Sequence, residues 1–331
     1  MKIITIFHCF VIIFLTACPK TGLYAETETP GKKEFSYQFT AGYTAGMLYG
    51  DSFEIVYRTS SILVSELTWN LKPLFYMGSF LEFSRKNPTE KLGFYSKLSL
   101  KFGFPSKTGY MEDRDWLTAD YGLSHFSKHD NYTNSAVLLD FTAGLSIPLF
   151  SKLVITPYLG FNYMMYKWTA RDGYTQYGSY ISDNIYNPWD ESLPKTNCYG
   201  PVVSYTQDWF IFSFGVSAVF PFLERFAVEA DFLFSPLIIV NALDDHYIQS
   251  PGGVQFHDEV YGGYMLQPSL GFTFKLTPKM QLNLNGQYRY IHNSRGYSYK
   301  YFNSTGTFST ASLAGAGYQV WDIGVIFGYT F

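Results

Sequence analysis

The chain has 331 residues, of which 47% are hydrophobic, 20% aromatic and only 15% charged, with a formal net charge of -3. That balance excludes a nucleic-acid partner, which requires clustered Lys and Arg facing phosphates. Beyond the N-terminus no stretch reaches the roughly 18 uninterrupted apolar residues of a membrane helix, so spanning helices are excluded as the carriers of the apolar content.

Residues 1–25 read as a secretory signal. Lys2 supplies the positive charge, Ile3 to Thr16 the apolar segment, and Leu23-Tyr24-Ala25 a small-residue cleavage site before Glu26. Leu15-Thr16-Ala17-Cys18 offers a rival box of the lipoprotein type; either reading exports the chain. Cys9 and Cys18 fall within the signal, so a chain starting at Glu26 keeps only Cys198. That excludes an internal disulfide and makes Cys198 an inert loop thiol rather than a nucleophile.

From residue 35 onward apolar and polar residues alternate. Phe35, Tyr37, Phe39, Ala41 and Tyr43 alternate with Ser36, Gln38, Thr40 and Thr44. Leu92, Phe94, Leu98, Leu100, Phe102 and Phe104 alternate with Lys91, Tyr95, Lys97, Ser99 and Lys101. Phe226, Val228, Ala230, Phe232 and Phe234 alternate with Glu229, Asp231 and Ser235. At the C-terminus Trp321, Ile323, Val325, Phe327, Tyr329 and Phe331 share one parity, and Asp322, Gly324, Gly328 and Thr330 the other. A strand sends alternate side chains to opposite faces. An apolar, aromatic face opposite a polar one suits a membrane barrel, with lipid outside and a polar lumen inside. A soluble sandwich would need a second sheet to cover so many apolar faces.

Short breaks fall near Arg85–Glu90, Phe150–Lys152, Phe222–Arg225 and Thr277–Lys279. Longer polar stretches fall near Arg58–Ser61, Met111–Thr133, Arg171–Gly200, Asn241–Asp258 and Ser298–Thr310. Turns interleaved with loops in this way give an all-β fold: a ten-stranded antiparallel transmembrane β-barrel, one domain over residues 26–331. If the termini and short turns are periplasmic, the long loops face outside. Glu90 to Asp113 is about twice the ~9–11 residues a tilted spanning strand needs, so the barrel is expected to extend above the outer membrane.

Two short motifs carry chemistry. In Glu112-Asp113-Arg114-Asp115-Trp116, both aspartates share parity with Lys97, Ser99 and Lys101 and are expected in the lumen, about 7 Å apart. Such a pair can hold a water and share a proton, because a like charge nearby raises one pKa. In Asp244-Asp245-His246, Asp244 and His246 share a face, and a carboxylate beside an imidazole fixes its tautomer and makes it a better base. Alone, each motif is usually a solvated loop; the two together at the outer ends of upward strands point to chemistry. Neither contains a Ser or Cys nucleophile. Asp244 and His246 share parity with the lipid-facing Phe226 to Phe234, so a bulge must reverse parity between residues 234 and 244, and Pro236 can mark it. His125 and His129 read as a solvated loop pair rather than metal ligands, His257-Asp258 as the start of the eighth strand, and the Tyr and Trp clusters as interfacial girdle residues.

With these residues the chain resembles the omptins, a family of ten-stranded outer-membrane proteases. That family carries Asp-x-Asp-Trp at the mouth after its third strand and Asp-x-His after its seventh, here Asp113-Arg114-Asp115-Trp116 and Asp244-Asp245-His246. Ser65-Glu66-Leu67-Thr68-Trp69 is similar to the family's second-strand start, Thr169-Ala170-Arg171 to its fifth-strand end, and the aromatic last strand also fits. The resemblance covers residues 35–331. It implies an omptin-type aspartic endopeptidase in the outer membrane, with its active site facing the cell exterior. It implies that His246, oriented by Asp244, deprotonates a water that attacks the scissile carbonyl. Asp113 and Asp115 then hold that water and manage protons, with no acyl-enzyme, cofactor or metal. Glu54, whose parity follows Gln38 and Thr40 into the lumen, matches one of two acids used by members that cut between basic residues. The other acid's position is Ala242, so only a weak basic preference is expected. The family also binds lipopolysaccharide through basic residues on the outer wall; Met165 and Asp208 stand there, and neither can pair with phosphate. Dependence on lipopolysaccharide is therefore not expected, which leaves peptide or protein substrates and outer-membrane lipid as partners. The alternative is a catalytically silent barrel acting as an adhesin or narrow porin. A lipid-modifying barrel hydrolase would need a Ser with His, and no such motif is present.

Overall fold

A computed structural model describes residues 37–59, 62–86, 91–118, 122–150, 152–182, 185–247, 253–302 and 306–331. The signal segment, residues 1–25, lies outside the described residues. The elements are β1 (Tyr37–Thr59), β2 (Ile62–Arg85), β3 (Gly93–Gly103), β4 (Ser106–Asp115), β5 (His125–Leu149), β6 (Leu153–Tyr177) and β7 (Tyr180–Ser182). They continue with β8 (Ile185–Tyr186), β9 (Thr196–Asn197), β10 (Pro201–Leu223), β11 (Phe226–His246), β12 (Val254–Tyr261), β13 (Met265–Lys275), β14 (Met280–Phe302) and β15 (Thr307–Thr330).

These strands close into a ring of ten staves. β3 and β4 form one stave and β12 and β13 another; the short β7, β8 and β9 belong to the loop region between β6 and β10. Closure comes from β1, which pairs antiparallel with both β2 and β15. A closed ring leaves no unpaired edge. The four short breaks follow the strand ends at Arg85, Leu149, Leu223 and Lys275, all at one end of the ring. Strand runs well into the long polar stretches: β4 continues to Asp115, β5 begins at His125, β6 runs to Tyr177, and β11 reaches His246. Polarity there reflects a water-facing wall rather than a missing ladder.

Outward-facing apolar side chains crowd the turn-side half. Trp321, Ile323 and Val325 are 53%, 43% and 44% exposed, and Phe75, Met77, Phe214, Phe232 and Phe272 are exposed as well. A bare apolar surface of this extent requires a lipid solvent. Toward the loop side, parity reverses on several staves. Ser235 and Pro236 oppose the single residue Ser213 between Phe212↔Leu237 and Phe214↔Phe234, which is the reversal the sequence demands. Lys72 and Pro73 do the same against β1, and Asn134 against β6. On the third stave the chain breaks at Phe104–Pro105 and bulges between Lys107 and Tyr110, where Gly109 takes a φ of 105° that an L side chain resists. Two reversals cancel there, so Asp113 and Asp115 keep the lumen parity of Lys97 and Lys101.

The lumen is filled. Trp69, Trp168, Trp209, Tyr166, Tyr205 and Tyr318 are essentially inaccessible. Their rings meet across the barrel from non-adjacent staves: Trp69 to Trp168 at 5.7 Å, Trp69 to Tyr205 at 5.2 Å and Trp209 to Tyr318 at 6.1 Å. The expectation that Tyr and Trp clusters form interfacial girdles is thus corrected for these six. The barrel is narrow enough for opposite walls to touch, and aromatic rings are large enough to bridge them.

Candidate active site

The mouth above this aromatic plug is built by β1, β2, β4, β10, β11 and β12. Asp113 and Asp115 project from the last turn of the pleat in β4, opposite Leu67 and Ser65 of β2. Ser65 Oγ donates to Asp113 Oδ1 at 3.1 Å and also serves Asp115. On the outer face Glu112 accepts from Arg114 at 2.5 Å and from Lys128 of β5 at 2.9 Å. This brace ties β4 to β5 and fixes the rotation that points the aspartates inward. Burial and the neighbouring Asp115 push the Asp113 carboxyl well above its ordinary range, with the Ser65 bond and His246 opposing. Burial raises Asp115 to about 6. Two carboxyls so placed hold a proton between them near neutrality.

On the facing wall, His246 Nε2 contacts Asp244 Oδ2. Asp244 is 1% exposed, and its acceptor assigns the proton of the neutral ring to Nε2, leaving Nδ1 as the free nitrogen. Burial lowers the imidazole's pKa, opposed by Glu54, Asp113 and Asp115, so the ring is neutral at neutral pH. The same charge effects link the walls: Asp113 and Asp115 act on His246, and His246 acts on both. Phe256 packs edge-on against His246 with ring centres 5.3 Å apart. All four catalytic candidates therefore line one mouth. Glu54 is buried in the same lumen, at 3% exposure, coupled to Asp244, Asp258, His246 and Asp113. Ala242 lines the wall one step below Asp244.

Several residues at the site escaped the sequence reading. Ser65 was visible only as part of a resemblance. His125, expected in a loop, lies on β5 directly opposite Asp115, and its Nδ1 meets Ser124 Oγ at 3.0 Å. Tyr177 lies opposite His125 on β6, their rings 4.4 Å apart, which places an Asp–His–Tyr row along one rung. His129 is also on β5, not in a loop, and contacts the Asp172 carbonyl oxygen. Two strand residues four apart are about 13 Å distant and cannot share a metal ion. Asp258 is buried on β12 rather than merely starting a strand. Only the pairing register brings these residues to the mouth, and register is not written in a local motif. Cys198 is a free, partly buried thiol, its pKa raised by burial. Met165 and Asp208 are register partners on the outer wall, and Asp208 Oδ1 accepts from Tyr163 Oη at 2.6 Å.

No curated protein sequence matches the chain. Among solved structures it is similar to the outer membrane protease OmpT from Escherichia coli: TM-score 0.78, 18% identity, covering 90% of this chain and 99% of that one. The Pseudomonas putida toluene transporter TodX is matched at TM-score 0.32 and 11% identity, over 89% of this chain and 90% of that one. The translocator domain of the autotransporter NalP from Neisseria meningitidis is matched at 0.33 and 8%, over 91% and 90%. Scores that low carry no argument, whereas the first match establishes the ten-stranded outer-membrane barrel fold. The sequence model of the Omptin family matches residues 35–331, nearly the whole described barrel, and the chain belongs to that family.

Proposed function

We propose that the chain is an outer-membrane endopeptidase that hydrolyses peptide bonds with an activated water at the outer mouth of the barrel. Membership of the omptin family supports the class of activity, and OmpT is by description an outer membrane protease. The observation that carries the mechanism is the pairing of a buried Asp244–His246 contact on one wall with a Ser65-bound Asp113–Asp115 pair on the wall facing it.

Asp244 accepts the Nε2 proton and so fixes His246 with Nδ1 free. Nδ1 takes a proton from water as that water attacks the scissile carbonyl. Asp113 and Asp115, holding one proton between them, bind the same water and return a proton to the leaving amine. The carboxyl pair supplies the acid and the neutral imidazole the base because burial pushes their pKa values in opposite directions. Glu54, from β1, receives the substrate side chain before the cut, and with Ala242 in place of a second acid its preference for Arg or Lys is weak.

Refolding in detergent and assaying a peptide library tests both parts. His246→Ala and Asp113→Ala should each lower kcat/KM at least ~10²-fold, and Arg or Lys should be modestly enriched before the cut. Unchanged rates in both variants would leave a silent barrel. Equal cutting after Arg and Leu would remove the role given to Glu54.

A further inference from the structure

The hydrolytic reading leaves one buried acid without a role. Asp258 lies on β12 opposite Ala242, with Asp244 opposite Phe256 one step on. Opposite residues of an antiparallel pair share a face, so Asp258 and Asp244 are diagonal neighbours about 7–8 Å apart by backbone geometry. Exposure is 5% for Asp258, 1% for Asp244 and 3% for Glu54. Ser298, opposite Asp258 on β14, donates to its carboxyl. Among the described residues, Asp258 Oδ1, Asp244 Oδ1 and Glu54 Oε2 nevertheless each lie buried without a donor. The Glu54 and Asp244 carboxyls act on one another at close range, and because ionised carboxylates only accept, one proton shared between them would satisfy both.

The groups facing this cluster come from every neighbouring stave. They are Glu54 from β1, Asp113 from β4, Tyr205 from β10, His246 from β11 and Lys300 from β14, which sits 5.4 Å over the Phe256 ring, while Asp245 adds its charge from the outer face of β11. The Tyr205 phenol stays neutral, held up by burial and the three carboxyls. After burial itself, the charge of Asp258 is the largest influence raising Asp244.

We propose that Asp258 is a positioning residue for the hydrolytic reaction: with Glu54 it encloses Asp244 in a three-carboxyl cluster that keeps one proton, and the hydrogen bond of that proton holds Asp244 with its other oxygen on His246. This rests on the reading of Asp244 and His246 as the base. A second proton, taken up in acid, falls on Asp244 and releases His246. Asp258 acts on when that happens, because a like charge nearby raises the proton affinity of its neighbours.

The test compares wild type with Asp258→Asn and Asp258→Glu, each checked for barrel formation by heat-modifiable migration on gels. Asp258→Asn should move the acid limb of kcat/KM down by ~1 pH unit, the size of a nearby like charge, with charged and neutral peptides alike. Asp258→Glu should restore the wild-type limb. The carbon-13 carboxyl titration of Asp244, assigned with Asp244→Asn, should show the same displacement without turnover. A lowered plateau with the limb and the Asp244 midpoint unmoved would make Asp258 merely structural and overturn the proposal. A loss confined to cationic peptides would make it a substrate contact and overturn it equally. A wild-type protein that cleaves nothing would sink the hydrolytic reading instead, a result distinct from an unmoved midpoint in a working enzyme.

Discussion

Only Nδ1 of His246 is left to take a proton, because Nε2 is occupied by Asp244. Around this nitrogen the titrations fall in a definite order. Burial lowers the imidazole, so it is uncharged at neutral pH. Burial raises Asp115 to about 6, and burial with the charge of Asp115 pushes Asp113 well above its ordinary range, so the pair still holds a proton there. As pH falls through about 6, the second carboxyl of the pair protonates and the water-binding charge disappears. Activity should therefore fall as pH drops through that value, the pair's protonation adding to that of Asp244 in the acid limb. Ser65 sharpens the expectation, since its hydroxyl stabilises the ionised form of both aspartates. Ser65→Ala removes that stabilisation, raises the pair's proton affinity and should move the acid limb of kcat/KM to higher pH. A Ser65→Ala profile unmoved, or moved to lower pH, would show that the aspartate pair does not contribute to the limb.

At the scale of the element, the outer faces of β6 and β10 decide a question of activation. Met165 and Asp208 are partners across these strands, and Tyr163 donates to Asp208. A thioether and a carboxylate offer nothing to a phosphate, which binds Arg or Lys. Protein refolded in detergent alone should therefore cleave peptides at the rate seen after lipopolysaccharide is added; a barrel silent until lipopolysaccharide is present would refute this. The same strands show how far sequence carries. Outward parity from Trp321 to Phe331, the turns and the lumen-facing placement of the Asp113–Asp115 and Asp244–His246 motifs were readable, because a period of two and a tight turn are local properties. The reversal at Ser235–Pro236 was also readable, since Asp244 and the lipid-facing phenylalanines could not otherwise share a strand. Loop lengths differ from expectation, because polar runs such as Met111–Thr133 and Arg171–Gly200 contain strands whose outer faces are polar while their lumen faces are buried. Ser65, His125 and Asp258 escaped as site residues because their meaning lies in register: Ser65 and His125 flank Asp115 from two different strands, and Asp258 meets Asp244 diagonally from a third.

The whole molecule separates two readings of the same fold. A porin and a mouth-facing enzyme share the barrel but differ in what fills it. Below the site, Trp69, Trp168 and Tyr205 stack across the lumen from three staves, with Tyr166 and Tyr318 joined through their hydroxyls at 2.7 Å. Further down, charged cross-links take over: Lys101 Nζ meets Asp322 Oδ2 at 2.8 Å, Tyr158 donates to Asp231 at 2.6 Å, and Arg289 reaches Gln267 and Asp140. Apart from Arg289–Gln267, whose strands pair directly, each cross-link joins strands that are not neighbours in the ring and so spans the channel. Removing one leaves the rest in place, and an ion crossing the barrel would have to break both the aromatic layer and the ionic one. In a planar lipid bilayer the purified barrel should therefore show no stepwise conductance at potentials that open wide porins. Trp69→Ala should leave it closed, because Trp168, Tyr205, Trp209 and Tyr318 still meet. That change should instead register as lost stability, on the order of 3–5 kcal/mol for truncating a buried Trp. Steady open-channel currents from the wild-type protein would mean that the plug is displaced in the membrane, and would move the molecule toward the porin reading.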